Sequence, residues 1–219
     1  MTIRKWTAAM MLAAVLATAG TAVAAPTVPG AVYSDQQATG SNKPVAQVQQ
    51  ELEKAGIQDV KPTDWFAGSI TVIVQAGLLP PKADGQFHPE EELNAGDGIA
   101  VFAKVLGVAA KNDTPEQALA KAQEAGLVGT GVTVDRDLSR VEVARLLGKA
   151  LGIEPRVVLS PVDYPFADFE QMDPVDAGLM KALYDLGIFK GYEDRTFRPN
   201  GILTRAEIAL LVDRILGAR

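Results

Sequence analysis

The chain contains no cysteine and a single histidine in 219 residues, which excludes disulfides, cysteine nucleophiles, thiolate metal sites and a lipid-anchored N-terminal cysteine. An exported fold built this way has to stand on packing alone, with hydrophobic burial contributing ~25 cal/mol per Å². Positive charge is also scarce, at 21 Lys+Arg against 27 Asp+Glu. Loss of Arg4 and Lys5 with a leader would leave 19 against 27, a net charge of −8. Such a balance argues against non-specific nucleic-acid binding, and restricts any contact with an anionic polymer to a local arginine cluster. Catalytic signatures are missing too: there is no Gly-x-Ser-x-Gly elbow, no phosphate-binding glycine loop and no histidine pair. His88 stands beside Pro89 without metal-ligand companions, and Glu90, Glu91 and Glu92 read as a solvated acidic run leading to a helix. The expectation is a non-catalytic protein without a cofactor or metal.

What is present begins with an export signal. Arg4 and Lys5 precede an alanine-rich apolar stretch, and Ala22-Val23-Ala24 offers the small residues of a cleavage site, so residues 1–24 read as a signal peptide. An uncleaved anchor is the alternative, but the strongly apolar centre, Met10 to Ala17, is short. Residues 25–44, rich in Pro, Gly, Ser, Thr and Gln, read as a flexible mature N-terminus, followed by a short helix over Val45 to Lys54 that ends at Gly56.

Three related helix-loop-helix units follow, expected over 45–107 (with the short helix), 108–153 and 166–219, with 154–165 as a proline-rich ordered linker. Gly77, Gly126 and Gly187 each close a first helix and are followed by Leu78, Leu127 and Ile188, the pattern of a left-handed C-terminal cap. The second helices repeat one apolar face: Val101, Phe102, Val105 and Leu106 correspond to Leu146, Leu147, Ala150 and Leu151, and to Leu211, Val212, Ile215 and Leu216. No pair of helices can bury such a stripe alone, so the expected fold is all-α, with the three pairs covering one another around a pseudo-threefold centre. Between the helices, Phe87 and Phe197 stand ten residues beyond Gly77 and Gly187 and read as core plugs; the middle unit is four residues shorter there.

Each second helix opens with a capping residue and an acid three positions later: Asn94 and Asp97, Ser139 and Glu142, Thr204 and Glu207. Capping explains those residues. It leaves unexplained the residue after the cap, Arg140 and Arg205, because a cation in the first turn opposes the helix dipole at a cost of ~0.3–1 kcal/mol. A guanidinium beside free helix amides would make a pocket for a carboxylate or phosphate, whereas a solvated or ion-paired arginine is the plainer reading.

The stretch from Phe166 to Leu216, with Phe-x-Asp at its start, GIFKGY, TFRPN and LTRAE, resembles an S-layer-homology repeat nearly throughout. Ile57 to Gly98 is a degenerate likeness, and the middle unit keeps mainly LSRVE. The resemblance implies a three-repeat helical bundle whose grooves bind peptidoglycan-linked secondary cell-wall polymers, often pyruvylated, at the bacterial cell surface. It makes Arg205 a glycan ligand, and Arg140 by extension, while Ala95 leaves the first repeat without its cation. Trp65 and Tyr192 are candidate sugar-stacking platforms, each with core packing as the competing reading, and Gly191 either admits ligand to the backbone or makes a turn. Asp168 resembles the family's opening aspartate and is expected to cap the first helix. The alternative function is an envelope structural or assembly protein whose repeats bind another surface protein rather than glycan.

Overall fold

The computed structural model describes residues 43–154, 156–159 and 164–217. The expected signal peptide, most of the N-terminal segment and part of the linker lie outside the described residues. Seven α-helices are described: α1 Val45–Ala55, α2 Ala67–Gln75, α3 Ala95–Val105, α4 Pro115–Glu124, α5 Arg140–Leu151, α6 Pro174–Asp185 and α7 Arg205–Gly217, with a 3₁₀ turn at Phe169–Gln171. The described residues form no strand or sheet, only three isolated antiparallel bridges, so the chain is all-α as expected. None of these helices is long and apolar enough to cross a membrane.

The helices end as their sequence dictates. Gly77, Gly126 and Gly187 sit at φ 66°, 73° and 72°, and the amides of Leu78, Leu127 and Ile188 reach back five residues to the carbonyls of Ile73, Ala122 and Leu183. Gly56 closes α1 in the same left-handed conformation. Lys43, placed by composition in the flexible segment, is instead tied to α1 and α2: its Nζ pairs with Glu51 and donates to Thr71 Oγ1 at 2.9 Å.

The second helices place a continuous set of apolar residues in the core, among them Ile99, Phe102, Leu146, Leu147, Ile208 and Val212. Their main partners come from neighbouring units: α4 packs on α3, α6 on α5, and α2 on α7. The partnerships close a ring, because the first helix of the first unit is covered by the last helix of the third. Side chains match this exchange. Ser69 on α2, fully buried, donates to Asp213 on α7 at 2.8 Å; Arg145 on α5 donates from Nε to Asp176 on α6 at 2.8 Å; and Gly148 leaves room for Leu179, whose Cδ1 would lie 2.5 Å from an added Cβ. The linker is packed too, with the Arg156 carbonyl against Gly178 and the Val158 amide donating to Pro174 O at 3.1 Å.

Candidate functional site

The start of each second helix meets the loop of a neighbouring unit through one repeated pair of backbone bonds. Arg140 N and Val141 N donate to Gly201 O and Pro199 O at 2.9 and 3.0 Å; Arg205 N and Ala206 N donate to Glu91 O and Pro89 O, both at 2.9 Å; Ala95 N and Gly96 N donate to Arg136 O and Val134 O at 2.7 and 2.9 Å. The three bridges, Ser139 to Ile202, Glu92 to Thr204 and Asn94 to Asp137, flank the same junctions. These bonds correct the expectation of free amides beside the arginines: the first-turn donors are already spent on carbonyls of the adjoining unit, since a buried helix end requires partners for them. The next amide is capped from within. Asn94 Oδ1 accepts from Asp97 N at 2.8 Å, Thr204 Oγ1 from Glu207 N at 3.3 Å, and Ser139 with Glu142 completes a capping box in which Glu142 Oε2 accepts from Ser139 N at 3.0 Å. Glu207 likewise accepts from Thr204 N at 3.0 Å.

The two arginines add a second repeated contact. Arg140 Nε donates to Phe197 O at 2.9 Å and Nη2 to Lys190 O at 3.2 Å; Arg205 Nε donates to Phe87 O at 2.5 Å and Nη2 to Pro80 O at 2.8 Å. Pro80 and Lys190 both stand three residues after their cap glycines, so the contacts are equivalent. Each guanidinium also lies over the phenylalanine whose carbonyl it holds, 4.9 Å from the Phe197 centroid and 4.6 Å from that of Phe87. Folding therefore does supply a reason for a cation in the first turn: it staples one unit to the next loop, and those charge-assisted bonds outweigh the ~0.3–1 kcal/mol dipole penalty.

Beyond that shared geometry the two sites differ. Arg140 is 0 % exposed; its Nη1 meets Glu207 Oε1 at 3.3 Å, and Tyr192 lies 4.8 Å from its guanidinium carbon while donating its hydroxyl to the same Glu207 oxygen at 2.7 Å. Expected at a groove surface, Arg140 is instead fully buried. Outside it, Arg198 stacks on Tyr192 at 4.0 Å and pairs with Asp194 at 2.9 Å. Arg205 is 4 % exposed, and its Nη1 makes no hydrogen bond among the described residues. Burial lowers its pKa from the usual arginine value, against the opposing charges of Glu91, Asp97 and Asp59.

The remaining candidates are placed as follows. Tyr192 and Arg140 are brought together, as just described. Gly191 is buried, and a Cβ there would lie 2.4 Å from the Phe166 ring and 2.8 Å from Thr196 O, so close packing gives a reason for glycine. Trp65 is half-buried, packed on the core and set edge-on to Phe66 at 5.0 Å, apart from both arginines' contacts. Asp168 does not cap α6, which Asp173 caps; its carboxylate accepts from Phe197 N and Arg198 N at 2.8 and 2.7 Å and holds the loop beneath Arg140. Asp59 does the same for Phe87 N and His88 N at 2.9 and 2.7 Å. This role was missed from sequence, although the near-equal offsets of Asp59 and Asp168 from the two phenylalanines, 28 and 29 residues, were its signal. Arg136 was missed as well: where Ala95 provides no cation, Arg136 pairs with Glu142 through two bonds of 3.1 and 2.7 Å.

The family model of the S-layer homology domain matches residues 57–94 and 165–209, the first and third units. Among curated proteins, an uncharacterized cell wall amidase of Bacillus anthracis is 31 % identical over 170 residues, covering 71 % of this chain and 31 % of that protein. A cell surface protein of Thermoanaerobacter kivui is 32 % identical over 102 residues, covering 46 % of this chain and 13 % of that protein. The S-layer protein sap of B. anthracis is 27 % identical over 170 residues, covering 70 % and 20 %. The chain thus spans less than a third of each of these relatives.

Proposed function

The chain is an S-layer homology domain protein, and we propose that it is a non-catalytic anchoring module of the bacterial cell envelope that binds an anionic secondary cell-wall polysaccharide linked to peptidoglycan. The supporting observation is Arg205: a guanidinium held rigidly by Phe87 and Pro80 at the junction of the third and first units, with one nitrogen lacking a hydrogen-bond partner among the described residues. Preorganisation of that kind suits recognition of a carboxylate or phosphate on a polymer. At the junction of the second and third units, Arg140 serves to position Tyr192, which with Arg198 forms the outward face and offers a stacking platform to a sugar. Trp65 and Gly191 contribute through packing. The junction carrying Ala95 binds no polymer: it lacks the cation, and its loop is closed onto Gly96 by Val134.

Co-sedimentation with wall sacculi tests this reading. Export to the cell surface and anchoring there predict that the chain, freed of residues 1–24, is retained on polymer-bearing sacculi and released when the polymer is stripped. Retention on bare peptidoglycan, or recovery of a defined surface protein by crosslinking in cells without retention on sacculi, contradicts it.

A further inference from the structure

The junction that holds Arg205 carries a carboxylate with no counterpart at the junction of Arg140. The carbonyl that accepts from Arg205 N belongs to Glu91, whereas the one that accepts from Arg140 N belongs to Gly201. Lys82, whose place five residues after the cap glycine is taken by Tyr192 in the third unit, forms an ion pair with the Glu91 side chain. Lys82 is itself held by its backbone, with its amide donating to Gln86 O at 2.8 Å. The Lys82 hydrogen bond, together with the charges of Lys82 and Arg205, keeps the Glu91 carboxyl below the usual carboxylate range despite some burial. Two cations, Lys82 and Arg205, therefore act on one side chain that the protein supplies itself.

We propose that Glu91 is a resident carboxylate in the anion position of this groove, and that an external oxyanion, a carboxylate or phosphate group of the bound polymer, binds by displacing it from Lys82 and drawing on Arg205. Displacement is inexpensive, because both side chains are about two-fifths exposed, at 42 % and 41 %. An exposed pair of this kind shifts an equilibrium by no more than about fivefold. Glu91 then tunes affinity and blunts its dependence on ionic strength, since the same salt that screens the polymer also loosens its competitor. The inference rests on the anchoring reading above.

The experiment is a retention isotherm on polymer-bearing sacculi for the wild-type chain, Glu91→Gln, and Glu90→Gln, which removes the same charge from the neighbouring exposed position. Glu91→Gln is expected to bind up to about fivefold more tightly, and Glu90→Gln like wild type. Inorganic phosphate and acetate, each compared with sodium chloride at equal ionic strength, distinguish the two oxyanion classes by which elutes wild type more readily; elution by neither beyond the salt control counts against the site. Wild-type retention with Glu91→Gln equal to or weaker than Glu90→Gln overturns the displaced carboxylate and leaves anchoring intact. No retention of any of the three overturns both.

Discussion

Arg140 and Arg205 occupy the same helix position and hold the same pair of loop carbonyls, but one is sealed and the other is not. Around Arg140 the third unit supplies Glu207, Phe189, Phe197 and Tyr192, so the guanidinium is enclosed by a carboxylate and aromatic rings and is 0 % exposed. Around Arg205 the first unit supplies only Phe87 among the rings, with Lys82 where Tyr192 would stand and exposed Glu91 where Gly201 would stand. One motif thus yields a fully enclosed rivet at one junction and a buried cation that keeps 4 % exposure at another. The difference lies in what the neighbouring unit supplies, from its loop and from helix α7, not in the helix that carries each arginine.

The comparison breaks most visibly at Arg140. Arg140→Ala leaves Glu207 buried without its cation and two carbonyls without donors, and is expected to cost ~3–5 kcal/mol of stability in urea unfolding. Arg205→Ala removes two charge-assisted bonds at a more accessible place, for an expected ~1.5–3 kcal/mol; the variant, checked to be folded, should also lose retention on polymer-bearing sacculi. Gly191→Ala places a methyl against the Phe166 ring and is expected to cost ~1–3 kcal/mol by overpacking, read as a lowered thermal midpoint. An acid titration of stability should show the smallest effect. Burial alone would raise Glu51, but hydrogen bonds from Lys43, Gln47, Thr71 and Gln75 outweigh it and lower its pKa from 4.5 to about 2. Its contribution is therefore present above about pH 4.5 and declines as pH falls towards 2. Glu51→Gln should flatten that part of the curve.

Much of the helical scaffold was legible because it is written locally. A cap glycine followed by an apolar residue, a serine or threonine with a glutamate three residues on, and an apolar face at helical spacing are each decided within one or two turns; the first and last recur in all three units, and the capping pair in the second and third, with Asn94 and Asp97 in its place in the first. The exchange of helix partners was not legible in the same way, since α2 meets α7 across most of the chain and nothing local marks that contact. The site was read only in part for the same reason. Arg140 and Arg205 stood out through their conflict with the helix dipole, but their burial depends on Phe197, Lys190, Phe87 and Pro80, which lie 50 or more residues away. Asp168 looked like a helix cap because an aspartate before a helix usually is one; instead it and Asp59 hold amides of distant loops in which Arg198 and His88 adopt φ of 57° and 54°.

Arginine side-chain NMR with labelled guanidinium groups tests the central distinction most directly. On addition of solubilised wall polymer, the Arg205 signals are expected to shift, and those of Arg140 to stay in place or move only slightly through Tyr192. A shift at Arg140 without one at Arg205, or no shift at either while the protein remains bound, would contradict the account.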